Sequence, residues 1–80
     1  MSIPERMMAG IRRYIDHGIE PGHFLTAVIC NDLREAVARA DSENVLLLRE
    51  YVLFFYNDAP SQCWGSAEKM QAWMQASEAT

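Results

Sequence analysis

Residues 45–56 read VLLLREYVLFFY, and this stretch decides the fold because ten of its twelve residues are apolar. A run of this kind is typical of either a buried strand or a buried helix. Its length and leucine content favour a helix, and no other segment resembles a strand that would pair with it. Asp41 or Ser42 can cap its start. We therefore predict a central helix over residues 42–57, with the other helices packed around it.

The predicted central helix has one polar side, which Arg49 and Glu50 mark. Helical spacing places Leu46, Leu53 and Asn57 one turn away from this pair. The remaining side chains are expected to face inward.

A first amphipathic helix is predicted over residues 3–17. Ser2 and Glu5 fit a capping box, and Pro4 lies in the first turn, where its missing N–H does no harm. Gly18 is a typical residue at a helix end. The apolar residues recur at helical spacing: Met7, Met8, Ile11, Tyr14 and Ile15.

A second helix is predicted over residues 22–39, after the turn signal Pro21-Gly22. Its weak point is Asn31-Asp32, because both side chains compete with the backbone for hydrogen bonds. The alternative is two short helices, the second capped by Asn31 or Asp32. The apolar stripe that favours one continuous helix contains Phe24, Leu25, Val28, Ile29, Leu33, Ala36, Val37 and Ala40.

A polar turn at residues 56–66, YNDAPSQCWGS, carries two residues that usually prefer burial, Cys63 and Trp64. We expect it to fold down onto the core. A last helix follows over residues 66–76, with Ser66 as its N-cap and Glu68 in its first turn.

The predicted fold is an all-α, compact bundle of three to four helices that forms one domain over residues 1–80. The tail, residues 77–80, is expected to fray. Half of the residues are hydrophobic and 22% are charged, which suits a globular fold. The net charge of -4 disfavours a non-specific nucleic-acid binder and attraction to anionic lipid.

The sequence carries no export or membrane signal. Pro4, Glu5 and Arg6 interrupt any apolar run at the start, and residues 45–56 are too short to span a bilayer. We therefore expect a cytosolic protein with no membrane partner. Two cysteines are enough for one disulfide, but the expected compartment favours free thiols.

We predict no metal site, no cofactor and no catalytic residue. His17, His23, Cys30 and Cys63 match no common zinc spacing and are expected to be surface histidines and buried cysteines. Cys63 lies near a helix start, where a thiolate is stabilised, but only a histidine brought close by the fold would serve as its base. No small-molecule substrate is evident.

The strongest functional signal is an excess of methionine and aromatic residues, five Met and eight aromatics in 80 residues. A small core cannot easily bury all of them, so some are expected to form a partner surface. The alternative is that they simply pack the core. The predicted partner-binding residues are the apolar anchors Leu46, Leu53, Trp64 and Trp73 and the rim charges Arg12 and Arg13.

Four sequence blocks occur in order along nearly the whole chain. They are HGIEPGHFLTAVICNDL at 17–33, RADSEN at 39–44, YNDAP at 56–60 and CWGSAEKMQAW at 63–73. This order resembles a group of small proteins of unknown function that are encoded in bacteriophage and prophage genomes. The resemblance implies a phage gene product that works in bacterial cytoplasm. Within these blocks Asn31, Asp32, Arg39 and Asn57 are candidates to line one groove.

We expect a non-catalytic interaction protein, a phage accessory factor that binds and modulates a bacterial host protein or associates with itself. The alternative is a small nucleic-acid-associated regulator of helix-turn-helix type, which the acidic charge opposes. A third hypothesis is an enzyme with a composite site across an oligomer.

Overall fold

The computed structural model describes residues 2–78, and within that range it contains helices and turns but no strand. The all-α prediction is confirmed. Short 3-10 helices at Asn44–Leu47 and Ser61–Cys63 precede the last two α-helices. The five α-helices are α1 (Glu5–His17), α2 (His23–Ile29), α3 (Leu33–Arg39), α4 (Leu48–Asn57) and α5 (Ala67–Glu78).

The single helix predicted over residues 22–39 is wrong, and the alternative of two short helices is what the structure contains. The N–H groups of Asn31 and Asp32 fold back to the carbonyls of Val28 and Ala27, at 3.0 and 2.8 Å, and so end α2. Asn31 has a φ of 60°, a left-handed conformation that asparagine tolerates. The Asp32 carboxylate accepts the N–H of Glu35 at 3.2 Å and caps α3.

Helix α1 begins two residues later than predicted, and the expected capping box does not form. Pro4 is the N-cap, with extended backbone, and no side chain caps this end. The Pro4 carbonyl instead accepts the N–H groups of Met7 and Met8 at 2.9 and 3.0 Å. The predicted stop at Gly18 is confirmed, because Gly18 takes the left-handed conformation with a φ of 67°.

The segment predicted as one helix over residues 42–57 starts as a 3-10 turn and becomes α4 at Leu48. Asp41 caps this start: its Oδ1 accepts the N–H groups of Glu43 and Asn44 at 3.1 and 2.7 Å. Asn44 is buried, and its Oδ1 accepts the hydroxyl of Tyr51 at 2.6 Å. Burial raises the pKa of Tyr51 to about 12.

The centre of the core is α2 rather than the apolar run at residues 45–56. Five of the seven α2 residues are buried, and α2 packs against both α3 and α4. The apolar run buries only one stripe, at Leu47, Tyr51 and Phe55. Val45, Val52 and Tyr56, which were expected to face inward, are exposed. A helix that packs against the core on one side buries only one stripe, however apolar its other residues are.

The turn before α5 folds onto the core as predicted. Cys63 is fully buried, and its carbonyl accepts the Tyr14 hydroxyl at 2.6 Å. The N–H of Gly65 donates to the Ile29 carbonyl at 2.7 Å, and this hydrogen bond joins the turn to the end of α2.

Helix α5 starts as predicted, since the Ser66 hydroxyl accepts the N–H of Lys69 at 3.1 Å. It continues through Glu78, past the predicted end at residue 76. Part of the predicted frayed tail is therefore helical, and residues 79–80 lie outside the described residues.

Candidate interaction surface

Exposed apolar side chains are concentrated on one part of the molecule. Among the described residues, eight large hydrophobic side chains are exposed, and all but Ile19 belong to α3 or to the segment that forms α4. Leu33, Leu46 and Tyr56 are each more than 70% exposed. We call this set the α3–α4 face: Leu33, Val37, Val45, Leu46, Val52, Leu53 and Tyr56.

A groove of about 290 Å³ runs through this face between α3 and α4. Leu33 lines one side, and Leu48, Val52 and Leu53 line the other. The buried side chains of Ala27, Val28 and Ala36 lie at its bottom. Three polar residues complete the lining: Asn31, Asp32 and Arg49.

Helical spacing connects the rest of the face to this groove. Val37 lies one turn from Leu33 on α3, and Tyr56 lies one turn from Val52 and Leu53 on α4. Leu46 lies two turns before Leu53, with Arg49 between them. The exposed apolar residues of the face therefore follow the two helices beside the groove, with Arg49 interrupting the row between Leu46 and Leu53.

The charges at the groove are one carboxylate and one guanidinium. Arg49 is 81% exposed, and the carboxylate nearest to it is that of its chain neighbour Glu50, at 3.9 Å. Asp32 uses its carboxylate to cap α3. Asp32 and Arg49, both within the described part of the chain, form no ion pair with each other.

The four predicted apolar anchors differ in their exposure to solvent. Leu46 is 72% exposed and Leu53 is 36% exposed, so both belong to the α3–α4 face. The exposed position predicted for Trp64 and Trp73 is wrong, since both are half-buried against the core. Trp64 lies on the ring of Phe55, with centroids 5.8 Å apart. The indole N–H of Trp73 donates to the Tyr14 and Ile15 carbonyls at 3.2 Å, which holds the ring inward.

The predicted rim charges lie on α1 and do not line the groove. Arg12 forms an ion pair with Glu5 at 2.7 Å. Arg13 lines a separate depression together with Ile19 and Pro21. The structure therefore does not bring Arg12 and Arg13 together with Leu46 and Leu53 around one groove.

The four polar residues expected to share one groove are also divided. Asn31 and Asp32 line the groove of the α3–α4 face. Asp32 also lines a second depression, beside Cys30, together with Arg39, whereas Asn57 lines one beside Ile3.

Sequence reasoning missed Leu33, Val37, Val45, Val52 and Tyr56 as surface residues. Leu33 and Val37 were assigned to the buried stripe of one long helix. The break at Asn31 resets the helical register, and α3 then buries only Ala36. The sequence signal for this break was the pair Asn31-Asp32, which is the weak point of the predicted helix.

The two cysteines, Cys30 and Cys63, are free thiols. Burial raises the pKa of the Cys63 thiol, so its thiolate is disfavoured. The pKa of Cys30 is also raised, by burial first and then by Asp32 and Glu68. The Cys30 thiol lies 3.6 Å from the sulfur of Met70. Within residues 2–78 no three metal-binding side chains come together.

Within the same residues, no helix has the length and apolar character to cross a bilayer. No family model, curated protein or solved structure matches this chain.

Proposed function

We propose that this chain is a non-catalytic protein-interaction module that binds through its α3–α4 face. The observation that supports the proposal is the concentration of exposed apolar side chains around one groove of about 290 Å³. Apolar patches with a polar rim are typical of protein-binding sites on small soluble domains.

The affinity would come from apolar burial, with the charges providing orientation. Covering a fully exposed leucine contributes about 1.5–3 kcal/mol, and three residues of the face are more than 70% exposed. Arg49 and Asp32 lie at the edge of the buried area, where charges direct association more than they add affinity.

We propose further that the partner is a bacterial protein or a second copy of this chain, met in the cytoplasm. The resemblance to phage and prophage proteins supports a bacterial host. Binding would modulate the target by covering one of its surfaces.

The proposal is tested by affinity capture from a bacterial host lysate with a matched pair of variants. Leu53→Glu places a charge in the groove, whereas Ile19→Glu places the same charge at an exposed apolar residue outside the face. A specific partner should be retained by the wild type and by Ile19→Glu and lost with Leu53→Glu. A chain that captures nothing and stays monomeric, or a partner lost equally with both variants, would contradict the proposal.

A nucleic-acid-binding function is the second candidate, and one observation favours it. Helices α2 and α3 are joined by three residues with a left-handed Asn31 in the middle, a connection typical of helix-turn-helix units. However, α3 exposes Leu33 and Val37, and the net charge is -4. Titration with duplex DNA at increasing salt tests this candidate, because real binding would weaken steeply with salt.

A further inference from the structure

We propose that the connection between α2 and α3, residues 30–32, is a hinge through which two copies of this chain exchange halves. In the exchanged form α2 and α3 join into one continuous helix. The half after the hinge, α3 to α5, then packs on α1 and α2 of the other copy. This inference concerns the hinge and does not depend on what binds the α3–α4 face.

The sequence across the hinge is compatible with one continuous helix. Residues 23–40 contain no proline and no glycine, the two residue types that most disfavour a helix interior. The apolar residues also keep helical spacing through the hinge, with Ile29 before it and Leu33 and Ala36 after it. The break between α2 and α3 therefore comes from the turn at Asn31 and not from a change in the apolar pattern.

The closed turn has a backbone cost that a continuous helix would not have. Asn31 has a φ of 60°, and the left-handed region is unfavourable for residues with a side chain, although asparagine tolerates it better than most. In a continuous helix the same residue would be right-handed. The Asp32 cap on α3 opposes opening, because that cap exists only in the closed turn. Short connections under strain are typical sites of exchange between copies.

Contacts between the two halves would survive the exchange. Helix α2 packs against α3 and α4, and α1 packs against α5. The Tyr14 hydroxyl donates to the Cys63 carbonyl, and the Trp73 indole donates to the Tyr14 carbonyl. The N–H of Gly65 donates to the Ile29 carbonyl. Each of these contacts joins a residue before the hinge to one after it, so exchange changes only which copy supplies each half.

Because both forms contain these contacts, the hinge and the protein concentration decide between them. Association costs translational and rotational freedom, which favours the closed monomer on dilution. The left-handed turn favours the exchanged dimer. The wild type should therefore be monomeric when dilute and should form dimer when it is refolded from urea at high concentration. Conversion of the folded monomer should be slow, because its two halves must first separate.

The first experiment varies the hinge and measures the dimer fraction by sedimentation after refolding from urea over a range of protein concentration. Asn31→Ala should raise the dimerisation constant about a hundredfold. Each dimer has two hinges, and each contributes about tenfold through the relieved turn and the higher helix propensity of alanine. Asn31→Gly should lower the constant, because glycine adopts the left-handed turn without penalty and disfavours a helix interior.

The control is Asn57→Ala, which makes the same change of side chain within α4 and away from the hinge. It should leave the dimerisation constant unchanged. An Asn31→Ala variant that is no more dimeric than Asn57→Ala would overturn the proposal.

The second experiment distinguishes exchange from a dimer formed through an exposed surface, and the wild type is sufficient for it. Two populations with different isotope labels are unfolded, mixed and refolded together at high concentration. In an exchanged dimer the proximity of the Trp73 indole to Tyr14 joins two copies, so nuclear magnetic resonance should detect it between the two labels. A monomer at every concentration, or a dimer in which this proximity stays within one copy, would overturn the exchange. Lysate capture by the wild type and by Leu53→Glu tests the α3–α4 face separately.

Discussion

Asn31 determines where α2 ends and therefore how α3 is oriented. Its φ of 60° lies in the left-handed region, which costs a residue with an ordinary side chain about 1–2 kcal/mol. Asparagine tolerates this conformation, and glycine adopts it without penalty. The turn that Asn31 forms places Asp32 at the start of α3, where its side chain caps the helix.

We expect Asn31→Ala to lower the free energy of unfolding by about 1 kcal/mol, and Asn31→Gly to be at least as stable as the wild type. Urea denaturation followed by circular dichroism measures both. Asn57→Ala is the control, because Asn57 is also exposed but lies in right-handed helix. If Asn31→Ala were as stable as the wild type, the left-handed turn would not carry the strain assigned to it.

Asp41 gives the molecule a dependence on acid pH. The pKa of this carboxyl lies below its ordinary value of 3.8, chiefly because it accepts the N–H of Asn44 and also because Arg6 is close. A folded-state pKa below the unfolded value means that the ionised form favours folding. The contribution is present above about pH 3.8 and is lost as the pH falls through the lowered folded pKa.

The measurement is the melting temperature of the wild type and of Asp41→Asn as a function of pH. Asparagine can still cap the turn but does not ionise. The wild type should melt higher at neutral pH, and the difference should close in acid. A difference that stays constant down to strongly acid pH would show that the charge of Asp41 does not contribute.

At the scale of the element, α1 has one glycine within the helix and a second at its C-cap, and the two have opposite roles. Gly10 lies within the helix, and a Cβ there would meet Leu25 Cδ1 at 3.6 Å, an ordinary contact. Gly18 ends the helix with a φ of 67°, and a Cβ there would clash with the Cβ of Ser77. The same substitution should therefore have opposite effects at the two positions.

We expect Gly10→Ala to raise the free energy of unfolding by about 0.5–1 kcal/mol, because alanine loses less backbone entropy in a helix. Gly18→Ala should lower it by at least about 1 kcal/mol, because it adds left-handed strain and a clash with α5. Thermal and urea unfolding of the two variants provide the comparison. Stabilisation by both substitutions would contradict the packing of Gly18 against α5.

At the scale of the whole molecule, the two tryptophans belong to one core. Trp64 lies on Phe55, and Trp73 packs on the core and bonds the carbonyls of α1. Trp73 thereby joins the last helix to the first. Because these contacts share one hydrophobic cluster, the molecule should unfold in a single cooperative step.

Single-tryptophan variants test this cooperativity. In Trp73→Phe the fluorescence reports Trp64, and in Trp64→Phe it reports Trp73. Within each variant the fluorescence and circular dichroism midpoints should coincide. Trp73→Phe should also be less stable by about 1 kcal/mol, because it loses the indole hydrogen bond. Separate midpoints for the two probes would mean that α5 unfolds independently of the core.

The sequence by itself determined the all-α fold, the stop at Gly18 and the cap at Ser66, and it left Asp41 and Ser42 as alternative caps. It also predicted the burial of the turn at Cys63 from the residue types in that turn. The helix ends and caps depend on one residue and its near neighbours along the chain, so capping chemistry is enough to predict them, and the all-α fold follows from periodicity. Only the tertiary structure decided which apolar side chains remain at the surface, because that depends on how many neighbours each helix acquires. The run at residues 45–56 was predicted to be the central helix, but it buries only one stripe, and the break at Asn31 leaves Leu33 and Val37 exposed.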